Sequence, residues 1–80
     1  MDIDKEKIAK VFGEILREFR EKKRISQENL ALEAEMARSF LSEIERGVKQ
    51  PTISTLIVVS KTLGLRPNRL IAELEKRIDV

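Results

Sequence analysis

Apolar residues recur along this chain at helical spacing and nowhere alternate one-for-one with polar ones, which confines the fold to helices. Ile8, Val11, Phe12, Ile15, Leu16 and Phe19 follow the i, i+3, i+4, i+7 rule. Asp4 is a suitable N-cap, and Lys22, Lys23 and Arg24 set cations where a helix dipole favours them. A first helix is therefore expected from about Asp4 to about Lys23. Ser26 reads as a second N-cap, with Gln27 at the first helical position and Asn29 at the third. Leu30, Ala31 and Ala34 form the inner stripe of this short helix, which ends near Ala34. A third helix runs through ARSFLSEIERG to Gly47, a C-terminal cap. After the loop VKQP, Thr52 caps a fourth helix, closed by Gly64. Its Ile53, Leu56, Ile57, Val59, Ser60 and Leu63 are expected to face mostly inward. Pro67 suits the first turn of a fifth helix carrying Leu70, Ile71, Leu74 and Ile78. The expectation is an all-α, five-helix unit forming one domain over residues 1–80, without repeats or linkers.

Composition narrows what such a unit can do. The chain has neither histidine nor cysteine, which removes the usual metal ligands, the usual general base and any disulfide. No pair of carboxylates stands isolated on an apolar face, and no glycine-rich phosphate loop is present. An enzyme, a metal site, a cofactor and a small-molecule ligand are all unexpected. No apolar run approaches the roughly 18 residues of a membrane span. Met1 leads into DIDKEK with no apolar signal region, so nothing argues for secretion and a cytoplasmic protein is expected. A chain of 80 residues buries only about 60% of its unfolded surface, so a partner subunit would help its stability.

The net charge of +2 is modest and unevenly spread. Residues 1–25 carry eight Lys/Arg against six Asp/Glu, residues 26–50 carry three against five, and residues 51–80 carry five against three. Charge alone makes no case for phosphate binding. Arrangement must make it.

The third helix has that arrangement. On a helical wheel Ala37, Phe40, Leu41 and Ile44 fall on one side, while Arg38, Ser39, Ser42, Glu43 and Arg46 fall on the other. The apolar group suits a core. The polar group suits water, as in most amphipathic helices, or a surface to be read. Two short helices joined by a turn of three or four residues are the local signature of a helix-turn-helix.

The pair SQENLALEA and ARSFLSEIERG, with a proline four residues beyond the glycine, resembles the phage repressor and Cro-type helix-turn-helix family. The resemblance runs from about Phe12 to Leu74. It is closest in pattern to the small controller regulators of restriction–modification systems, which share Arg-hydroxyl-aromatic-aliphatic-Ser ahead of IERG. It implies that the third helix enters the DNA major groove and reads it from its N-terminal half. Arg38 then matches the first base-reading position, where a guanidinium grips guanine O6 and N7. Ser39 and Glu43 match the next readers, and Ser42 lies on the same face. Gln27 matches a phosphate-holding position at the start of the second helix, and Arg46 and Lys49 could hold phosphates where the chain leaves the third. Phe40, at the rim, suits packing or a thymine methyl. Glu45 matches a glutamate that pairs with an arginine of the first helix, here Arg20.

The resemblance further implies a homodimer on paired half-sites of double-stranded DNA, with RNA polymerase as a further partner if the dimer sits beside a promoter. Repression and activation both stay open. Val58, Leu65, Leu70 and Ile71 are the apolar residues available for a twin subunit; alternatively the fifth helix merely covers the core. Departures from the family pattern fall in the turn and caps. Glu35 and Arg24 stand where glycine is common, Asn29 where a capping glutamate is usual, and Ala37 where a capping hydroxyl is usual. The competing reading is a helical protein-interaction module, an antitoxin-like partner that binds DNA weakly. The acidic middle of the chain and Glu43 favour it.

Overall fold

Asp4 starts the first helix by accepting hydrogen bonds from the amides of Glu6 and Lys7. From there α1 (Lys5–Lys22) buries Ala9, Phe12, Gly13, Ile15 and Leu16. The computed structural model describes residues 4–78, in which four further helices follow and no strand occurs. Ser26 Oγ caps α2 (Gln27–Glu33) by accepting from Asn29 N at 3.0 Å. α3 (Arg38–Glu45) starts without a side-chain cap, as Ala37 requires. Its first turn closes on the Ala37 carbonyl, which accepts from both Phe40 N and Leu41 N. Thr52 Oγ1 caps α4 (Ile53–Thr62), and Pro67 opens α5 (Pro67–Arg77).

The first four helices end in the same way. Arg24, Glu35, Gly47 and Gly64 take positive φ of 57°, 54°, 75° and 73°. The amide after each turns back to the last helical turn: Ile25 N to Arg20 O, Met36 N to Ala31 O, Val48 N to Glu43 O and Leu65 N to Ser60 O. This is the Schellman closure. Two of the four sites have glycine; Arg24 and Glu35 carry a Cβ into a region that disfavours it by roughly 1–2 kcal/mol.

α1 runs behind the molecule, against α3 and α5. α2 packs on α3 and α4, and α4 packs on α5. Ile15, Leu16, Leu30, Leu41, Ile44, Val59 and Leu70 are fully buried where these helices converge. Gly13 makes the α1–α3 crossing possible. A Cβ there would collide with the Ile44 carbonyl and lie 2.6 Å from that of Glu45. A second close approach is at Gly47, whose added Cβ would lie 2.6 Å from Lys10 Cα.

The inward set expected for the fourth helix needs correction. Leu56 is half-buried and Val59, Ser60 and Leu63 are buried, but Ile53 is 77% exposed and Ile57 is also exposed. α4 is apolar on nearly every side, so periodicity cannot select its inner face; contact with α2 and α5 does. Leu70 is corrected too. It is wholly buried on the stripe it shares with Leu74, so no partner subunit can reach it. Ile78 lies just past α5 in extended backbone and packs against the core.

Candidate nucleic-acid interface

The surface formed by α2 and α3 is supported from beneath by one ion pair. Arg20 Nε donates to Glu45 Oε2 at 2.7 Å and Nη2 to Oε1 at 3.0 Å, a two-pronged contact between α1 and α3. The two side chains are 11% and 3% exposed. Arg20 Nη1 also donates to the Ile25 carbonyl at 2.9 Å, which ties in the segment leading to α2. The hydrogen bond to Glu45 raises the Arg20 pKa above its ordinary value, against the opposing effect of burial. The contact ties α3 to α1.

A polar chain runs outward from this pair. Gln27 Nε2 donates to Glu45 Oε1 at 3.2 Å, and Gln27 Oε1 accepts from Arg38 Nε at 3.4 Å. The buried carboxylate can only accept, so it dictates which end of the Gln27 carboxamide faces in and which faces Arg38. Arg38 Nη1 also lies 3.6 Å from Glu28 Oε2. Arg38 thus stands at the first position of α3, about 61% exposed at its side chain, held by two neighbours on α2.

The rest of the polar face is organised further along α3. Ser39 is exposed, one residue after Arg38. Ser42 Oγ accepts from Arg46 Nε at 3.3 Å. Glu43 Oε1 lies 3.7 Å from Lys49 Nζ, and the same ammonium sits 5.8 Å from the centre of the Phe40 ring. The Glu43 carbonyl accepts from Val48 N and Lys49 N, which brings Lys49 back over the helix end. In the free chain Glu43 is therefore partnered by a nearby lysine. Phe40 is half-buried at the rim under that lysine and packs against the core.

Gln27, Arg38, Ser39, Ser42, Glu43, Arg46 and Lys49 all lie on α2, α3 or the segment just after α3. Val58, Leu65 and Ile71 belong to α4, α5 and the turn between them. Sequence reasoning missed the double attachment of Gln27 and the position of Glu28. Gln27 and Glu45 are 18 residues apart and Arg38 and Gln27 are 11 apart, so no helical spacing links them. Gly13 was legible in principle: it is a glycine within the apolar face of a helix, where a close backbone approach is the usual reason.

A short capped helix, a left-handed turn and a second helix with Leu41 and Ile44 wholly buried and a polar outer face constitute a helix-turn-helix. The helix-turn-helix family model matches residues 16–70, and the chain belongs to this family of DNA-binding transcriptional regulators. Control protein C.BamHI of Bacillus amyloliquefaciens is 37% identical over 65 residues, covering 80% of each chain. The restriction–modification controller protein C.AhdI of Aeromonas hydrophila is 33% identical, with a TM-score of 0.75 over 80% of this chain and 96% of its own. The clp gene regulator ClgR of Corynebacterium glutamicum superposes with a TM-score of 0.82 at 29% identity, over 86% of this chain and 73% of its own. Among the described residues no helix is long and apolar enough to cross a membrane.

Proposed function

We propose that this chain is a controller-type regulator that binds an inverted repeat as a homodimer, with α3 of each subunit in the major groove. The observation that carries the reading is Arg38. It is an exposed guanidinium at the first position of a helix whose opposite side, Leu41 and Ile44, is wholly buried. It is also steadied through Gln27 by a buried carboxylate. Such an arginine grips a guanine with two hydrogen bonds. Ser39 and Ser42 offer hydroxyls to base edges or phosphates. Glu43 accepts from a cytosine amine and repels phosphates, so it lowers general affinity. The second Nε2 hydrogen of Gln27, together with Arg46 and Lys49, holds phosphates on either side of the groove.

The whole chain works as one domain, its chemistry is recognition rather than catalysis, and its place is beside the DNA in the cytoplasm. Dimerisation supplies the second half-site, about 34 Å away. Val58 and Ile71, 39% and 37% exposed, with half-buried Leu65, form the apolar surface for the twin subunit. Ile53 and Ile71 also line a groove with Ile8 of α1, Pro51, Leu56 and Leu74. RNA polymerase is the partner when the dimer sits beside a promoter.

The test is a selection of random duplex DNA by purified protein, run beside Arg38→Ala. The wild type is expected to enrich an inverted repeat. The mutant, still folded, is expected to lose about 1–3 kcal/mol of preference at one G·C pair per half-site. Enrichment of nothing at low salt by folded protein would reject the reading and turn the search to a protein partner.

A further inference from the structure

Arg38 is held by two α2 side chains of very different security. Gln27 takes Nε and is itself anchored to the buried Glu45. Glu28 Oε2 lies 3.6 Å from Nη1, an ion-pair distance without a hydrogen bond, and the two side chains are 61% and 75% exposed. A guanidinium can grip two acceptors at once along only two edges, Nε with Nη2 or Nη1 with Nη2. The first edge contains the atom hydrogen-bonded to Gln27, and the second contains Nη1, which only lies near the Glu28 carboxylate. Binding a guanine along the first edge breaks the contact anchored in the core. Binding along the second displaces only Glu28.

We propose that Glu28 is an intramolecular competitor for the DNA-reading arginine. Its carboxylate lies beside Nη1 of Arg38 in the free protein and gives way when the guanine is gripped along the Nη1 and Nη2 edge, while Gln27 keeps Nε throughout. The proposal rests on the assignment of Arg38 as a base reader. Its thermodynamic consequence is specific. The pair is intact in the free protein and broken in the cognate complex, so it subtracts its own strength from cognate affinity. It does not sharpen the choice of base: where no guanine is gripped the pair can persist, so its cost falls on the cognate complex. Glu28 sets how much protein is needed to fill the site. For a regulator without a small-molecule effector, that threshold is itself a functional property.

Glu28 also bears a negative charge near the DNA, and simple repulsion of phosphates would weaken binding as well. The two effects separate through Arg38. Competition exists only while Arg38 is present, whereas phosphate repulsion does not depend on it. The experiment measures affinity for the selected site, at one salt concentration, of four folded proteins: wild type, Glu28→Gln, Arg38→Ala and the double variant. Glu28→Gln is expected to bind about two- to fivefold more tightly, the range for an exposed ion pair. In the Arg38→Ala background the same substitution is expected to change affinity by much less.

An equal gain in both backgrounds would overturn the proposal in favour of phosphate repulsion. No gain, or a loss, would also overturn it, since a loss would mean that Glu28 helps to aim Arg38. If Arg38→Ala leaves base preference untouched, the assignment of Arg38 as reader fails first and the proposal fails with it. If Arg38→Ala abolishes that preference but Glu28→Gln gains nothing, only the proposal fails.

Discussion

Without the Glu45 carboxylate, the Arg20 guanidinium would keep one carbonyl, that of Ile25, for a charge that is almost wholly out of water. Removing one partner of a buried pair typically costs about 3–5 kcal/mol, a large part of the roughly 5–15 kcal/mol that holds a small domain together. Glu45→Ala is therefore expected to lower stability by that amount in urea titrations, and a loss under 1 kcal/mol would contradict the structural role. The opposite effect is expected at the turn. Glu35 has a φ of 54°, where a Cβ is disfavoured, and its side chain is exposed. Glu35→Gly relieves this strain at some cost in chain entropy. A net gain near 1 kcal/mol would raise Tm by about 4–8 °C in a domain of this size. An unchanged or lower Tm would mean that the turn tolerates its glutamate. The pairing of Arg20 with Glu45 was legible only through family resemblance, since residues 25 apart share no local spacing. The positive φ at Glu35 was legible because that position commonly holds glycine in the family; Arg24 also stands where glycine is common.

Between elements, α5 is fastened to α1 by charge as well as by apolar contact. Arg77 donates to both oxygens of Glu18, at 2.8 and 2.7 Å, and to Glu73 at 3.3 Å. Arg69 stacks over the Phe19 ring, 5.1 Å from its centre. The hydrogen bond from Arg77 holds the Glu18 carboxyl below its ordinary 4.5, so the folded protein favours the ionised group. The stability this contact supplies is present above pH 4.5 and is lost as pH falls through the lower folded-state value. Glu18→Gln should therefore be less stable than wild type near neutrality, and the gap should narrow as pH falls below 4.5. Urea titrations near neutrality and in acid check this; a gap that persists in acid would show that packing, not charge, is lost. The starts of α1, α2 and α4 were readable in advance because Asp4, Ser26 and Thr52 accept the amide bonds expected of them. The inner face of α4 was not readable, because a helix apolar on all sides carries no directional signal.

At the scale of the molecule, the proposed dimer would give a chain with a net charge of only +2 phosphate contacts from two subunits. Asp at Val58 and Ile71 together is expected to leave a folded monomer in sedimentation equilibrium. The slope of log affinity against log salt should then fall to roughly half, since each phosphate contact contributes to it separately. A dimer that survives both charges would move the interface elsewhere. What the sequence alone determined is everything carried by local order. Period sets the helices, capping residues set their ends, and the motif from Ser26 to Pro51 sets the helix-turn-helix and hence the class of protein. Tertiary structure alone decided what depends on residues far apart in the chain meeting in space. It buried Leu70, exposed Ile53, set Gly13 against the Ile44 and Glu45 carbonyls, and strung Arg20, Glu45, Gln27 and Arg38 into one line from core to surface. The physical reason is that hydrogen bonds within a helix are closed by neighbours three or four positions apart, whereas packing and polar networks are closed by whichever helices come to lie side by side.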